Sequence, residues 1–241
     1  MIHSDVEIRM TSFPALLLVH GAWHGPWAWQ RLINQLPDID VHTVALPSTG
    51  SDPAALGNLY DDAAAVTAAV AAIDGPVVVL AHSYGGHPVT QAVASAQNVR
   101  RLVYLAAFQL DVGEAPHSIL GDEMPGLEVH VGTGGDGGVY ITLTDPVEIL
   151  YGDLEPDLAQ QSVAQLRLQS LAAVTQPLTE AAWRHHPSTY LICEADSALP
   201  PSVQEMMAKR AERVRRIQSS HSPFLSRPTE LAGLIREELS L

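Results

Sequence analysis

The segment Ala81-His82-Ser83-Tyr84-Gly85-Gly86 places a serine between small residues, at the point where an apolar run gives way to a helical pattern. Val77-Val78-Val79-Leu80-Ala81 precedes it, and Pro88 marks a helix start just beyond. A serine on a sharp strand-to-helix turn is lifted clear of the strand end, and its neighbours must be small for the turn to close. Ala81 stands where the usual pattern has glycine, which keeps the site small. The start of the following helix then faces developing negative charge with its N–H groups. This arrangement serves acyl transfer, with Ser83 as nucleophile.

A serine hydroxyl attacks only when a base takes its proton, and the base needs a third group to fix its tautomer. On this kind of sheet the expected chain order is serine, acid, histidine. Asp196 lies just beyond the expected strand at 189–194 and His221 just beyond the last, at 213–218, so both fall on loops at the same sheet edge as Ser83. Asp111, on the loop after a neighbouring strand, is the alternative acid, and Glu194 is expected to close its strand. His24, His82, His87, His185 and His186 lack the strand-end placement of a base. They read as structural or pocket-lining groups, with His82 and Trp23 assigned to the substrate pocket. No pair of histidines or carboxylates has the spacing of a helical zinc site, so neither metal nor cofactor is expected.

The elements that must position these groups alternate. Short β-rich runs at 15–20, 41–46, 76–82, 101–106, 189–194 and 213–218 read as strands, and helical patterns occupy 27–36, 59–73, 88–96, 203–212 and 229–239. Strands that are mostly near-continuous apolar runs, separated by helices, predict an α/β architecture with a mostly parallel sheet of about six strands. The rhythm breaks at 108–187, a stretch too long for one crossover. It predicts an inserted cap between the core segments 1–107 and 188–241, with a short hairpin strand near 139–143 and a helix over 156–171. Leu120, Met124, Leu150, Leu166 and Leu171 are its candidate wall residues.

Composition narrows the partners. The chain has 241 residues and a net charge of -14, which opposes binding to nucleic acid. Twelve acidic residues fall within 108–187 against only Arg167 and Arg184, a solvated acidic surface. A single cysteine, Cys193, leaves no intramolecular disulfide and reads as a small buried residue. No apolar run is long enough to span a membrane, and no basic segment leads into a long apolar one. Cytoplasmic residence is the default expectation, with a small molecule as partner and homodimerisation left open.

The segments His20-Gly21-Ala22-Trp23-His24-Gly25-Pro26-Trp27-Ala28-Trp29, Ala81 to Gly86, Leu191-Ile192-Cys193-Glu194-Ala195-Asp196 and Ser220-His221-Ser222-Pro223-Phe224 together resemble small proteins of the α/β-hydrolase fold. The likeness is to the branch holding plant methyl esterases, hydroxynitrile lyases and bacterial carboxylesterases. It implies a triad of Ser83, Asp196 and His221, with the backbone N–H groups of Ala22 and Tyr84 forming the oxyanion hole. Lyases of this branch carry a lysine after the histidine and a threonine in the oxyanion loop, where this chain has Ser222 and Gly21. The resemblance thus implies a carboxylesterase-type serine hydrolase for a small, largely apolar ester. Its alternatives are a lactonase, a thioesterase, a lyase on a natural-product intermediate, or a small-molecule receptor that retains the triad.

Overall fold

The computed structural model describes residues 13–120, 129–134 and 138–241. Its centre is a six-stranded parallel sheet made of β1 (Ala15–Val19), β2 (Val41–Val44), β4 (Val77–His82), β5 (Val99–Leu105), β9 (Ser188–Cys193) and β10 (Arg213–Ile217). Their order across the sheet is β10-β9-β5-β4-β1-β2. Every residue of β1, β4 and β9 is buried, as strands covered on both faces must be.

Alternation along the strands divides the core between the two faces. Leu17, Val19, Val79 and Ala81 pack toward one side, with Val66 and Val70 of α2 (Leu59–Ala71) and Val89 of α3 (Gly86–Ala92). Leu16, Leu18 and Leu80 pack toward the other, with Leu32 of α1 (Gln30–Ile33) and Leu231 and Ile235 of α10 (Pro228–Leu239). The Ala-rich α2 starts on a reciprocal cap: Asn58 accepts from the Tyr60 and Asp61 N–H groups, while Asp61 accepts from the Asn58 N–H. Two other helices, α8 (Pro201–Ala208) and α9 (Pro223–Ser226), follow β9 and β10. Among the described residues no helix is long and apolar enough to cross a membrane.

Residues 108–187 run from β5 to β9 and build a second, antiparallel sheet from β6 (Val129–Thr133), β7 (Val139–Leu143) and β8 (Leu168–Ser170). The expected hairpin strand is β7, paired with β6 from Val129↔Leu143 to Thr133↔Val139. An unexpected fourth strand comes from outside the insertion: β3 (Thr49–Gly50) pairs with β8. Among the described residues the sheet is accompanied by the short helices α4 (Pro116–Leu120), α5 (Pro146–Tyr151), α6 (Pro156–Val163) and α7 (Leu171–Thr175) and by a 3-10 turn at Ala182–Arg184. The expected helix over 156–171 stops at Val163, because the Arg167 N–H is taken by the carbonyl of Trp23 and the chain straightens into β8. The pattern over 27–36 likewise resolves into a 3-10 turn, Pro26–Trp29, followed by the short α1.

Candidate active site

Ser83 caps the carboxyl end of β4 at the place where the sheet changes direction. From β1 the chain moves outward to β2, and α2 then carries it back across to β4 on the other side of β1. Such a reversal opens a crevice at the strand ends. Ser83 has φ +53°, a conformation that L-residues avoid, and its carbonyl accepts the Phe108 N–H at 3.1 Å. The sharp turn demands glycine after it. A Cβ on Gly85 would stand 2.5 Å from the His20 carbonyl oxygen, and one on Gly86 2.7 Å from that of Phe108.

His221 follows β10 and Asp196 follows β9, neighbouring parallel strands that carry both loops to one edge. His221 Nδ1 meets Asp196 Oδ2 at 2.7 Å, with both side chains shut off from solvent. Asp196 is held in turn: its Oδ1 accepts the N–H groups of Ala198 and Leu199, both at 2.8 Å, and its Oδ2 accepts Gln204 Nε2 at 3.0 Å. The alternative acid is committed elsewhere, since Asp111 pairs with the guanidinium of Arg184, which holds its carboxyl below the usual range. Glu194 lies near Arg216 at the surface.

Three further histidines surround this edge without entering it. His20 Nδ1 donates to the Gly21 carbonyl at 2.9 Å while its Nε2 accepts the Leu46 N–H at 3.1 Å. His24 Nδ1 donates to the Ala22 carbonyl at 2.8 Å, which leaves Nε2 to accept the Tyr151 hydroxyl at 2.9 Å. His82, expected on the pocket wall, instead lies behind His221 and donates from Nε2 to its carbonyl at 2.9 Å. It is packed among Trp29, His221 and Phe224, and it is absent from the cavity lining. Burial pushes His20 down to about 4 and His24 to about 3, and holds His82 well below the ordinary imidazole value. All three are therefore neutral near pH 7.

Ser83 and His221 share a cavity of about 270 Å³ with Ala22, Trp23 and Tyr84. Its remaining walls are largely apolar and include Phe108, Ile141, Leu171 and Leu199, with His117 and Thr175 as polar members and no arginine, lysine or carboxylate among the described residues. Of the expected wall residues, Leu171 is present. Leu166 lies in a separate groove on the other side of Trp23, and Leu150 is buried in the core. Met124 and the side chain of Leu120 lie outside the described residues. Sequence reasoning missed Phe108 and Ile141, whose directions depend on the bend after β5 and on the register of the second sheet. Trp23, with φ +63°, turns its indole N–H to the Ile141 carbonyl at 3.0 Å and so ties the first-strand loop to β7.

The arrangement can deliver a serine to an electrophilic centre held in an apolar enclosure. Comparison with known proteins places it. "Alpha/beta hydrolase nvfD" from Aspergillus novofumigatus is 32% identical over 92% of this chain and 95% of its own. "Putative methylesterase 12, chloroplastic" from Arabidopsis thaliana is 24% identical over 92% of this chain and 70% of its own. The crystal structure of a pyrethroid hydrolase from Sphingobium faniae JZ-2 superposes with a TM-score of 0.77 at 22% identity, over 94% of this chain and 97% of that one. Residues 16–234 match the model of the Alpha/beta hydrolase family, and the chain belongs to that family.

Proposed function

We propose that this chain hydrolyses carboxylic esters of small, neutral, largely apolar molecules, with Ser83, His221 and Asp196 as its catalytic triad. The observation that carries the reading is the joint placement of Ser83, at its left-handed turn, and the Asp196-bound His221 on one apolar cavity. In the first step His221 Nε2 takes the Ser83 proton as Oγ bonds to the ester carbonyl carbon, and the carbonyl π pair moves onto oxygen. The N–H groups of Ala22 and Tyr84 hold that oxyanion. The pair then returns, the bond to the alcohol oxygen breaks, and the imidazolium gives its proton to the departing alcohol. Water repeats the sequence on the acyl-enzyme and releases the acid. Asp196 keeps Nδ1 protonated throughout and steadies the imidazolium.

Residues 108–187 act as a cap over a core of 1–107 and 188–241, since Ile141 and Leu171 wall the cavity from that segment. The largely apolar lining, whose described titratable members include the imidazoles of His117 and His221, favours a substrate of little charge over a free carboxylate. A lyase of the cyanohydrin kind is disfavoured by Ser222, fully buried where a lysine would be needed, and by Gly21. A Cβ on Gly21 would lie 2.9 Å from both the His82 ring and the Ser83 Cβ, so threonine has no room there.

An aryl fluorophosphonate tests the nucleophile by peptide mass, alongside turnover of p-nitrophenyl esters, thioesters and lactones. Ser83 carries the adduct, esters turn over repeatedly, and Ser83→Ala loses on the order of 10⁴-fold in kcat. Retained turnover in Ser83→Ala overturns the assignment. Preference for thioesters or lactones moves the substrate class, and single-turnover binding with slow release makes the chain a receptor.

A further inference from the structure

Two backbone segments must present N–H groups to one oxygen, yet they lie far apart in the chain. A line of buried side chains joins them. From the elbow, the Tyr84 hydroxyl donates to Asp62 Oδ2 at 2.6 Å. Asp62 Oδ1 accepts the Ser48 N–H at 2.8 Å. Ser48 Oγ accepts Gln169 Nε2 at 2.9 Å, and Gln169 Oε1 accepts the Thr49 hydroxyl at 2.9 Å and the Trp23 N–H at 3.4 Å. Asp62, Ser48 and Gln169 are all 0% exposed.

The far end of this line acts on a single peptide plane. The Ala22 carbonyl and the Trp23 N–H belong to the same peptide unit. His24 Nδ1 binds its oxygen at 2.8 Å, and Gln169 binds its N–H from the other side. A planar unit held at both ends cannot rotate, which fixes one side of Ala22; the preceding unit, which carries the Ala22 N–H, is held in turn at its Gly21 carbonyl by His20 Nδ1 at 2.9 Å. Trp23 needs such support, because φ +63° is a conformation it would leave if released. The Arg167 N–H on the Trp23 carbonyl, at 2.8 Å, adds a third tie. At the near end, the phenol of Tyr84 is locked while its own N–H is the second donor.

We propose that Asp62 and Gln169 are positioning residues that hold the Ala22 and Tyr84 N–H groups in register for the oxyanion. Neither touches the substrate cavity. Gln169 lies on β8 two residues before Leu171, a cavity wall at the start of α7, so the strand that sets the donors leads directly into the helix that shapes the pocket. The role rests on the serine-hydrolase reading above. A buried network pays off only when every member is satisfied, which this one approaches at both carboxylate oxygens and at both ends of the amide.

The test uses Gln169→Met, close in volume but without hydrogen bonds, and Tyr84→Phe, which removes one oxygen at the opposite end. Gln169→Glu, which keeps the acceptor for Trp23 and Thr49, is the rescue. Each is assayed for the rate of Ser83 labelling by an aryl fluorophosphonate, for kcat and KM on p-nitrophenyl butyrate, and for Tm. Losing one oxyanion donor outright costs about 10²–10³-fold in kcat, so a misaimed donor is expected to cost about tenfold or more. Gln169→Met and Tyr84→Phe each lose that much in labelling rate and kcat with KM within about twofold, as expected for donors that act only in the transition state. Gln169→Glu recovers most of the loss, and the double variant loses less than the product of the singles. Folded variants that label and turn over at the wild-type rate overturn the role, as does a loss confined to KM. If Gln169→Met fails to fold, Tyr84→Phe alone decides. A wild type that takes no label at Ser83 overturns the serine reading and this role with it. A labelled wild type beside equally labelled variants overturns this role alone.

Discussion

At Ser83 a left-handed backbone costs roughly 1–3 kcal/mol, and the surrounding bonds must hold it in place. The need for small neighbours was readable from Gly85 and Gly86, because no other residue admits the His20 and Phe108 carbonyls so closely. The placement of Ser83, Asp196 and His221 at the ends of β4, β9 and β10 was readable too, since each lies just beyond an expected strand. Asp62 was not: an acid inside an alanine-rich helix looks like a solvated one until Tyr84 and Ser48 are seen against it. Burial pushes its carboxyl up to about 6, against the lowering effect of its hydrogen bonds with Ser48 and Tyr84. A carboxyl whose folded pKa is raised binds its proton more tightly when folded. Its contribution to stability is therefore full at pH below the unfolded value and is lost as pH rises through about 6. Between pH 7.5 and 4.5 the stability of the wild type relative to Asp62→Asn should rise by about 2 kcal/mol. Urea titrations at the two pH values check this, and a constant difference would contradict it.

Elements were legible wherever a short run alternates with a helical pattern, including β2 and β10, whose faces are not both apolar. All six strands of the parallel sheet fall where the runs predicted, with ends shifted by one or two residues. The second sheet was harder, because two- and three-residue strands such as β3 and β8 have no periodicity of their own and exist only through their partners. The end of β4 shows the same limit. Alternation cannot say that the ring of His82 would turn to the His221 carbonyl, since that carbonyl arrives from a loop 139 residues later. His82→Phe keeps an aromatic body there but leaves the carbonyl buried without this donor. Such a loss costs about 1–3 kcal/mol, to be read as a lower urea midpoint at unchanged slope. A midpoint equal to that of the wild type would show that the bond contributes nothing to stability.

For the molecule as a whole, the acidic excess hides a concentrated use of arginine. Glu238 of α10 is 3% exposed and lies 3.7–3.8 Å from Arg101, Arg213 and Arg215, which come from β5 and β10. Its Oε2 also accepts the Thr189 hydroxyl of β9 at 2.6 Å, so one carboxylate fastens the last helix to three strands. Arg213 and Arg215 remain partly solvated and gain little, but Arg101 is buried and would lose its buried counter-charge, keeping only the largely exposed Glu212 at 3.9 Å and the Thr189 hydroxyl. Glu238→Gln should therefore cost about 3 kcal/mol in chemical denaturation. An effect under about 0.5 kcal/mol, the range of an ordinary surface change, would refute the fastening.

The two residues of β3 carry a consequence for anyone who would exchange parts between members of this family. They sit in the 1–107 segment but complete the sheet built by 108–187. A chimera cut at 107 and 188 would bring a foreign β8 to an edge that no longer fits it, exposing unpaired backbone and inviting aggregation. Moving the proposed cap intact onto another scaffold calls for moving residues 48–50 together with 108–187, as a single graft drawn from two places in the gene.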